Sequence, residues 1–265
     1  MSKVILRVIL AVCILAVVVF AAALVRELLI DRQSQSFYSD LTAGIEKRPQ
    51  ENEPGQTGAE PPRDSGNDDS PVTRPGDEWV PYVDFGALNA KYPGTVGWLR
   101  LEGTFLDYPV MQYTDNVYFL AHLPDGTEHR SGSIFLDYRN SGDFSDKSIL
   151  IYGHESRTQE MFAILKSYRE QVFYEANPVI YLHTPQNDYR IVLFAGYLAD
   201  SQREQPPLYF DDDESFLEYI GHLRGMSFFN SSVEVKAEDR IVSLVTCAYD
   251  FNDARLVIAG VLVEY

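Results

Sequence analysis

The chain has 265 residues, of which 45% are hydrophobic and 23% charged, and it carries a formal net charge of −17. This is the composition of a globular protein of one or two domains, and the acidic balance argues against a protein that binds nucleic acid through its phosphates. The two cysteines, Cys13 and Cys247, are too few and too far apart for a disulfide scaffold or a Cys-rich zinc module.

The first segment in chain order is a run of 18 uncharged residues, 8–25 (VILAVCILAVVVFAAALV), with Lys3 and Arg7 ahead of it. As a helix, 18 to 22 residues span roughly 27 to 33 Å, the thickness of the hydrocarbon layer. A retained transmembrane anchor is expected over residues 1–26. By the positive-inside tendency its N-terminus is cytoplasmic and all that follows is extracellular, in a single-pass cell-membrane protein. A cleaved signal peptide ending near Ala21, Ala22 and Ala23 is the alternative, although the apolar run is longer than a usual signal core. Cys13 lies inside the run, where it reads as a small apolar residue.

Residues 40–78 hold six Pro, five Gly and a net charge of −6, with few large apolar side chains. Such a stretch buries too little surface to offset its ordering entropy, so residues 27–78 are expected to be a flexible extracellular spacer. The remaining domain, 79–265, carries −13, most simply a solubility feature, with cation binding as the weaker alternative. It is dominated by short β-runs between turn residues, at 104–112, 132–137, 148–152, 178–183, 189–199, 240–246 and 255–264. Helices are expected near 84–91, over 158–168 and over 215–224. Seven or more strands with few helices predict a mostly β fold, a closed or nearly closed barrel.

Two strands frame the chemistry. Cys247 ends the apolar run IVSLVT and, after seven intervening residues (AYDFNDA), Arg255 opens RLVIAGVLVEY. In a hairpin these positions lie side by side, on strands about 5 Å apart. A permanently charged guanidinium there can favour a thiolate or stabilise an oxyanion on a carbonyl attacked by sulfur. The alternative is a buried structural cysteine beside a solvated arginine. His154 follows the apolar run SILIYG and can face the same rim as a proton donor and acceptor, or simply lie on a surface loop. His122, His129, His183 and His222 are scattered, and no metal motif or cofactor motif appears.

The segment TCAYDFNDAR (246–255) resembles the TLxTC…R signature of the sortases, and IYGHES (151–156) followed by MFAILKSY resembles their histidine segment. The run VDFGALNAKYPGTVGWLRLEGTFLDYPVMQYTDNVYFLAHLPDG from Val83, followed by SGSIFLDYRN, is similar to class B sortases in particular. The resemblance covers essentially all of 79–265 in colinear order.

It implies an eight-stranded sortase-type β-barrel with a few peripheral helices and an N-terminal helical extension, acting as a cysteine transpeptidase of the Gram-positive cell surface. By the same resemblance, Cys247 is the nucleophile, His154 the general acid and base, and Arg255 the group that holds substrate and stabilises the oxyanion. Asn116, Leu120, Tyr152 and Thr246 match positions around the substrate groove, with a purely structural role as the alternative for each. Val245 stands where many class B members have serine before Thr-Cys, which bears on sorting-motif preference and not on the chemistry. The implied partners are surface proteins or pilins bearing a C-terminal sorting signal, and an acceptor amine from a cell-wall precursor or pilin. No nucleic acid, metal or cofactor is implied. A tethered cysteine endopeptidase passing the acyl group to water is the alternative function. The loops 197–213 and 248–254 are expected to shape the groove.

Overall fold

The computed structural model describes residues 3–44, 83–156, 160–200, 206–247 and 254–264, with the backbone alone at positions 3, 4, 6, 8 and 247. Eight strands close into a barrel: β1 (Thr95–Arg100), β2 (Asp107–Met111), β3 (Ile134–Leu136), β4 (Ser148–Tyr152), β5 (Val179–His183), β6 (Asp188–Asp200), β7 (Arg240–Cys247) and β8 (Ala254–Glu264). Their order around the barrel is β1-β2-β3-β4-β7-β8-β6-β5, and β5 pairs with β1 to complete it. The β2–β3 and β4–β7 pairs are parallel, and the others are antiparallel. Closure leaves the sheet with no open edge. The runs expected as strands all carry one. The segment TVGWLR, which was not among them, forms β1.

Alternation along the strands sorts the apolar residues onto two faces. Leu99, Ile151, Leu182, Ile191, Leu244 and Ile258 fill the inside. On the outside, Phe194, Tyr197, Val245 and Val257 pack against helix α4 (Asp213–Met226) through its Phe216 and Ile220. Asp212 caps that helix by accepting from the Ser215 amide in a capping box, which fixes its start two residues before the predicted one. On another outer face Trp98, Met111 and Phe135 pack against α2 (Phe85–Lys91), where a helix was expected.

Two expectations change. The stretch predicted as a helix over 158–168 is, within the described residues, a 3₁₀ segment at Phe162–Arg169, followed by a short α3 (Gln171–Ala176). Met161 begins it at φ 52 with no side-chain cap, so an α-helical start has neither the backbone angle nor the bond it needs. The second change concerns the spacer. Helix α1 runs from Lys3 to Ala43, beyond the anchor boundary expected at 26, so residues 27–43 are helical. Ser34, Tyr38 and Leu41 of this segment are buried against the barrel. The rest of the expected spacer, 45–78, lies outside the described residues. By length and composition α1 is able to cross a membrane, and Leu10, Leu15, Val17 and Phe20 of its apolar half lie exposed.

Candidate active site

The parallel pairing of β4 with β7 places Tyr152 beside Val245, and the Gly153 amide donates to the Val245 carbonyl at 3.1 Å. Two residues past that pair, the chain reaches His154 on one strand and Cys247 on the other. On the opposite side of β7, the antiparallel register pairs Cys247 directly with Arg255. Three neighbouring chain segments therefore bring positions 154, 247 and 255 to one end of the barrel, with Cys247 in the middle and a strand spacing of about 4.8 Å to either side.

His154 is half-buried, and its Nε2 lies 2.7 Å from the Leu120 carbonyl oxygen. A carbonyl only accepts, so Nε2 carries a hydrogen; in the neutral ring the site that gains or loses a proton is then Nδ1. The Leu120 carbonyl is fixed in turn. Leu120 ends a 3₁₀ turn at Tyr118–Leu120, which sits on Gly132 with no room to spare. A Cβ at Gly132 would lie 2.4 Å from the Phe119 oxygen and 2.7 Å from that of Leu120, and the residue has φ 54. On the other side of the histidine, the Phe162 amide donates to the His154 carbonyl at 3.0 Å, beside a bridge between Glu155 and Met161. Leu120 itself is 39% exposed.

Asn116 and Tyr152 converge on one carboxylate, Asp137, which is wholly buried at the end of β3. Its Oδ2 accepts from Asn116 Nδ2 at 2.9 Å, Tyr152 Oη at 3.2 Å and Arg139 Nη2 at 2.8 Å. Its Oδ1 accepts from Arg139 Nε at 2.9 Å and the Arg139 amide at 3.0 Å. Burial alone pushes the Asp137 carboxyl up, but the bonds from Arg139 and Asn116 and the Arg139 charge outweigh it and hold the group below the usual carboxylate range. Burial, with the neighbouring Asp137 charge adding to it, pushes the Tyr152 hydroxyl above the usual phenol range, so it remains a donor. Asn116 spends its other end on the Tyr138 amide, which its Oδ1 accepts at 3.0 Å. Both ends of this side chain are thus committed within the protein.

Arg255 is half-buried, with Nη1 donating to the Ala254 carbonyl at 3.0 Å. Thr246 is 2% exposed, and its hydroxyl finds no partner among the described residues; alternation puts it on the inner face with Leu244. Val245 is buried on the outer face in the cluster covered by α4. Of the loops expected to shape the groove, residues 201–205 and 248–253 lie outside the described residues.

Sequence reasoning missed Asp137, Arg139 and the Leu120 carbonyl. The LDYRN run is the signal for the first two: a carboxylate closing an apolar strand, two residues before an arginine, has to be paired if it is buried. The Leu120 oxygen is a backbone atom, so no residue type announces it.

No family model matches the chain. The chain is 36% identical over 170 residues to sortase B of Listeria monocytogenes, covering 63% of this chain and 69% of the relative. It is 32% identical over 183 residues to sortase B of Staphylococcus aureus, covering 68% of this chain and 75% of the relative. Among solved structures, the Staphylococcus aureus sortase B–substrate complex superposes with a TM-score of 0.65 at 29% identity, covering 68% of this chain and 84% of the other. Fold and relatives agree, and the chain belongs to the class B sortases, which are cysteine transpeptidases.

Proposed function

We propose that the protein is a membrane-anchored transpeptidase that cleaves a C-terminal sorting signal through a thioacyl intermediate on Cys247 and passes the acyl group to an amine. The observation that carries this reading is the strand register that gathers His154, Cys247 and Arg255 at one end of the barrel. The Cys247 thiolate attacks the scissile carbonyl and a C–S bond forms, with the oxyanion held by the Arg255 guanidinium. His154 gives a proton to the departing amine as the C–N bond breaks. It then takes a proton from the incoming amine, which attacks the thioester, forms a new C–N bond and releases the thiolate.

The acceptor amine comes from a cell-wall precursor or a pilin, and the donor is a surface protein or pilin. Leu120 offers an apolar contact along the groove, whereas Asn116 and Tyr152 shape its wall through Asp137. Thr246, buried beside the nucleophile, supports the strand end. Val245 in place of serine gives up a hydroxyl and so alters the preferred sorting motif. The anchor is the first part of α1, with its N-terminus in the cytoplasm behind Lys3 and Arg7 and the barrel outside.

The test is mass spectrometry of the purified full-length chain in detergent, mixed with a library of sorting-signal peptides, with and without an added peptide amine. A peptide acyl adduct on Cys247 that the amine consumes to give a joined product is the expected result. Cys247→Ala that joins or cleaves the peptide at the native rate would sink the reading. An adduct lost to water equally fast in the presence of amine, with no joined product, would make the protein an endopeptidase. Arg255→Lys keeps the charge but loses the planar fork, so its rate should fall by about 10²-fold with folding intact; an unchanged rate removes Arg255 from the mechanism.

A further inference from the structure

The part of α1 just beyond the apolar run is bonded into the catalytic barrel along a buried polar seam. The Ser34 hydroxyl, which has no exposed surface, donates to Glu160 Oε1 at 2.9 Å and Oε2 at 2.8 Å. Glu160 is 5% exposed and also accepts from Ser131 Oγ at 3.4 Å. Tyr38 Oη donates to the Gly132 carbonyl at 3.0 Å, its ring meets that of Tyr108 edge-on at 4.9 Å, and His129 Nε2 donates to the Ile30 carbonyl at 2.9 Å. At the rim of the seam Arg130 pairs with Glu27 and Asp31 of α1.

Glu160 is also next to the bridge that seats the histidine. Met161 pairs with Glu155, and the Phe162 amide holds the His154 carbonyl. The same few residues thus meet the anchor helix on one side and the His154 backbone on the other. A buried carboxylate has to be hydrogen-bonded, which makes this contact specific in register and not merely adhesive.

We propose that the juxtamembrane part of α1 is a positioning element for His154, acting through Ser34 on Glu160 and from Glu160 across the Glu155–Met161 bridge. Ser34 and Glu160 are positioning residues; neither touches the reacting atoms. The proposal rests on the assignment of His154 as the acid and base. Because a catalytic group displaced by about 1 Å can lose about 10²-fold in rate, the seam is expected to show in kcat while leaving peptide binding alone.

The experiment measures transpeptidation by the full chain in detergent micelles, using a sorting-signal peptide and a peptide amine, for Glu160→Ala, Glu160→Gln, Ser34→Ala, the Ser34→Ala/Glu160→Ala pair and His154→Ala. Glu160→Ala is expected to lower kcat by about 10-fold or more with KM within about twofold, and Glu160→Gln, which keeps an acceptor oxygen, to recover most of that loss. Ser34→Ala should lower kcat by a smaller factor, and the pair should be no worse than Glu160→Ala alone, since both act on one contact. Hydrogen exchange at the amides of residues 160–162 should rise in Glu160→Ala and Ser34→Ala. If Glu160→Ala does not fold, Ser34→Ala, which removes one hydroxyl, carries the test by the same readouts. Native kcat in folded Glu160→Ala or, failing that, in Ser34→Ala, together with an inactive His154→Ala, overturns the positioning role alone. A fully active His154→Ala overturns the histidine assignment and this proposal with it.

Discussion

A carboxylate taken wholly out of water is tolerated only when its lone pairs are filled, and Asp137 meets that condition through Asn116, Arg139 and Tyr152. Its carboxyl titrates below the ordinary range when folded, so the stability it contributes is complete above the unfolded value of about 4 and is lost as pH falls through the lower folded value. Asp137→Asn is therefore expected to cost about 2 to 3 kcal/mol at pH 7 and to flatten the loss of stability on acidification, as read by urea midpoints at several pH values. A native midpoint at pH 7 would show that the bonds to Asp137 contribute nothing net. Positions 154, 247 and 255 were legible in the sequence as candidates, beside the ends of apolar runs and through the resemblance to sortases. The partner that fixes the His154 ring was not: it is the Leu120 carbonyl, and a backbone oxygen is placed by the fold of its turn rather than by its side chain.

At the scale of elements, the site depends on a parallel pair, β4 with β7, joined with the antiparallel β7–β8 pair. Periodicity found seven of the eight strands but carries no information about which strands are neighbours, so the 93-residue gap between His154 and Cys247 was uninformative until pairing closed it. β1 escaped notice because TVGWLR is buried at four of its six positions and shows no alternation. The expected helix over 158–168 gave way to a 3₁₀ turn because the residues leading into it are tied to the histidine segment by the Glu155–Met161 bridge. Gly153 shows how tight that hairpin is. A Cβ there would lie 2.8 Å from the Phe162 ring, which is fully buried and cannot swing away. Gly153→Ala should therefore destabilise the protein by about 1 to 3 kcal/mol and lower kcat, since Phe162 also holds the His154 carbonyl. Thermal unfolding and peptide-transfer kinetics together check this; a native kcat would mean the hairpin absorbs the methyl without moving His154.

For the molecule as a whole, α1 joins an apolar half, long enough to cross a membrane, to a half that is packed on the barrel. From Val25, the end of the apolar run, to the docked Ile30 is a rise of about 7.5 Å along one continuous helix. Ser34, Tyr38 and Leu41 recur at helical spacing and could have been read as a buried stripe, but the Pro/Gly-rich composition beginning at residue 40 set the tone for the whole interval 27–78. Tyr38→Ala removes a buried ring and its bond to the Gly132 carbonyl. It is expected to lower Tm of the full chain in detergent by about 10 °C, whereas no change would mean that α1 does not hold to the barrel in solution.

By itself the sequence determined the apolar N-terminal run, the β-rich class and, through its resemblance, the family, because hydrophobic period and motif content are local properties of the chain, and it offered Cys247, His154 and Arg255 as the candidates for the chemistry. Only the tertiary structure decided which side chains are committed internally, such as Asn116 to Asp137, and that the second half of α1 is bonded to the barrel through Ser34 and Glu160. Those contacts join residues 21 and 126 positions apart, and their energy comes from burial and hydrogen-bond satisfaction, which exist only once the barrel has closed.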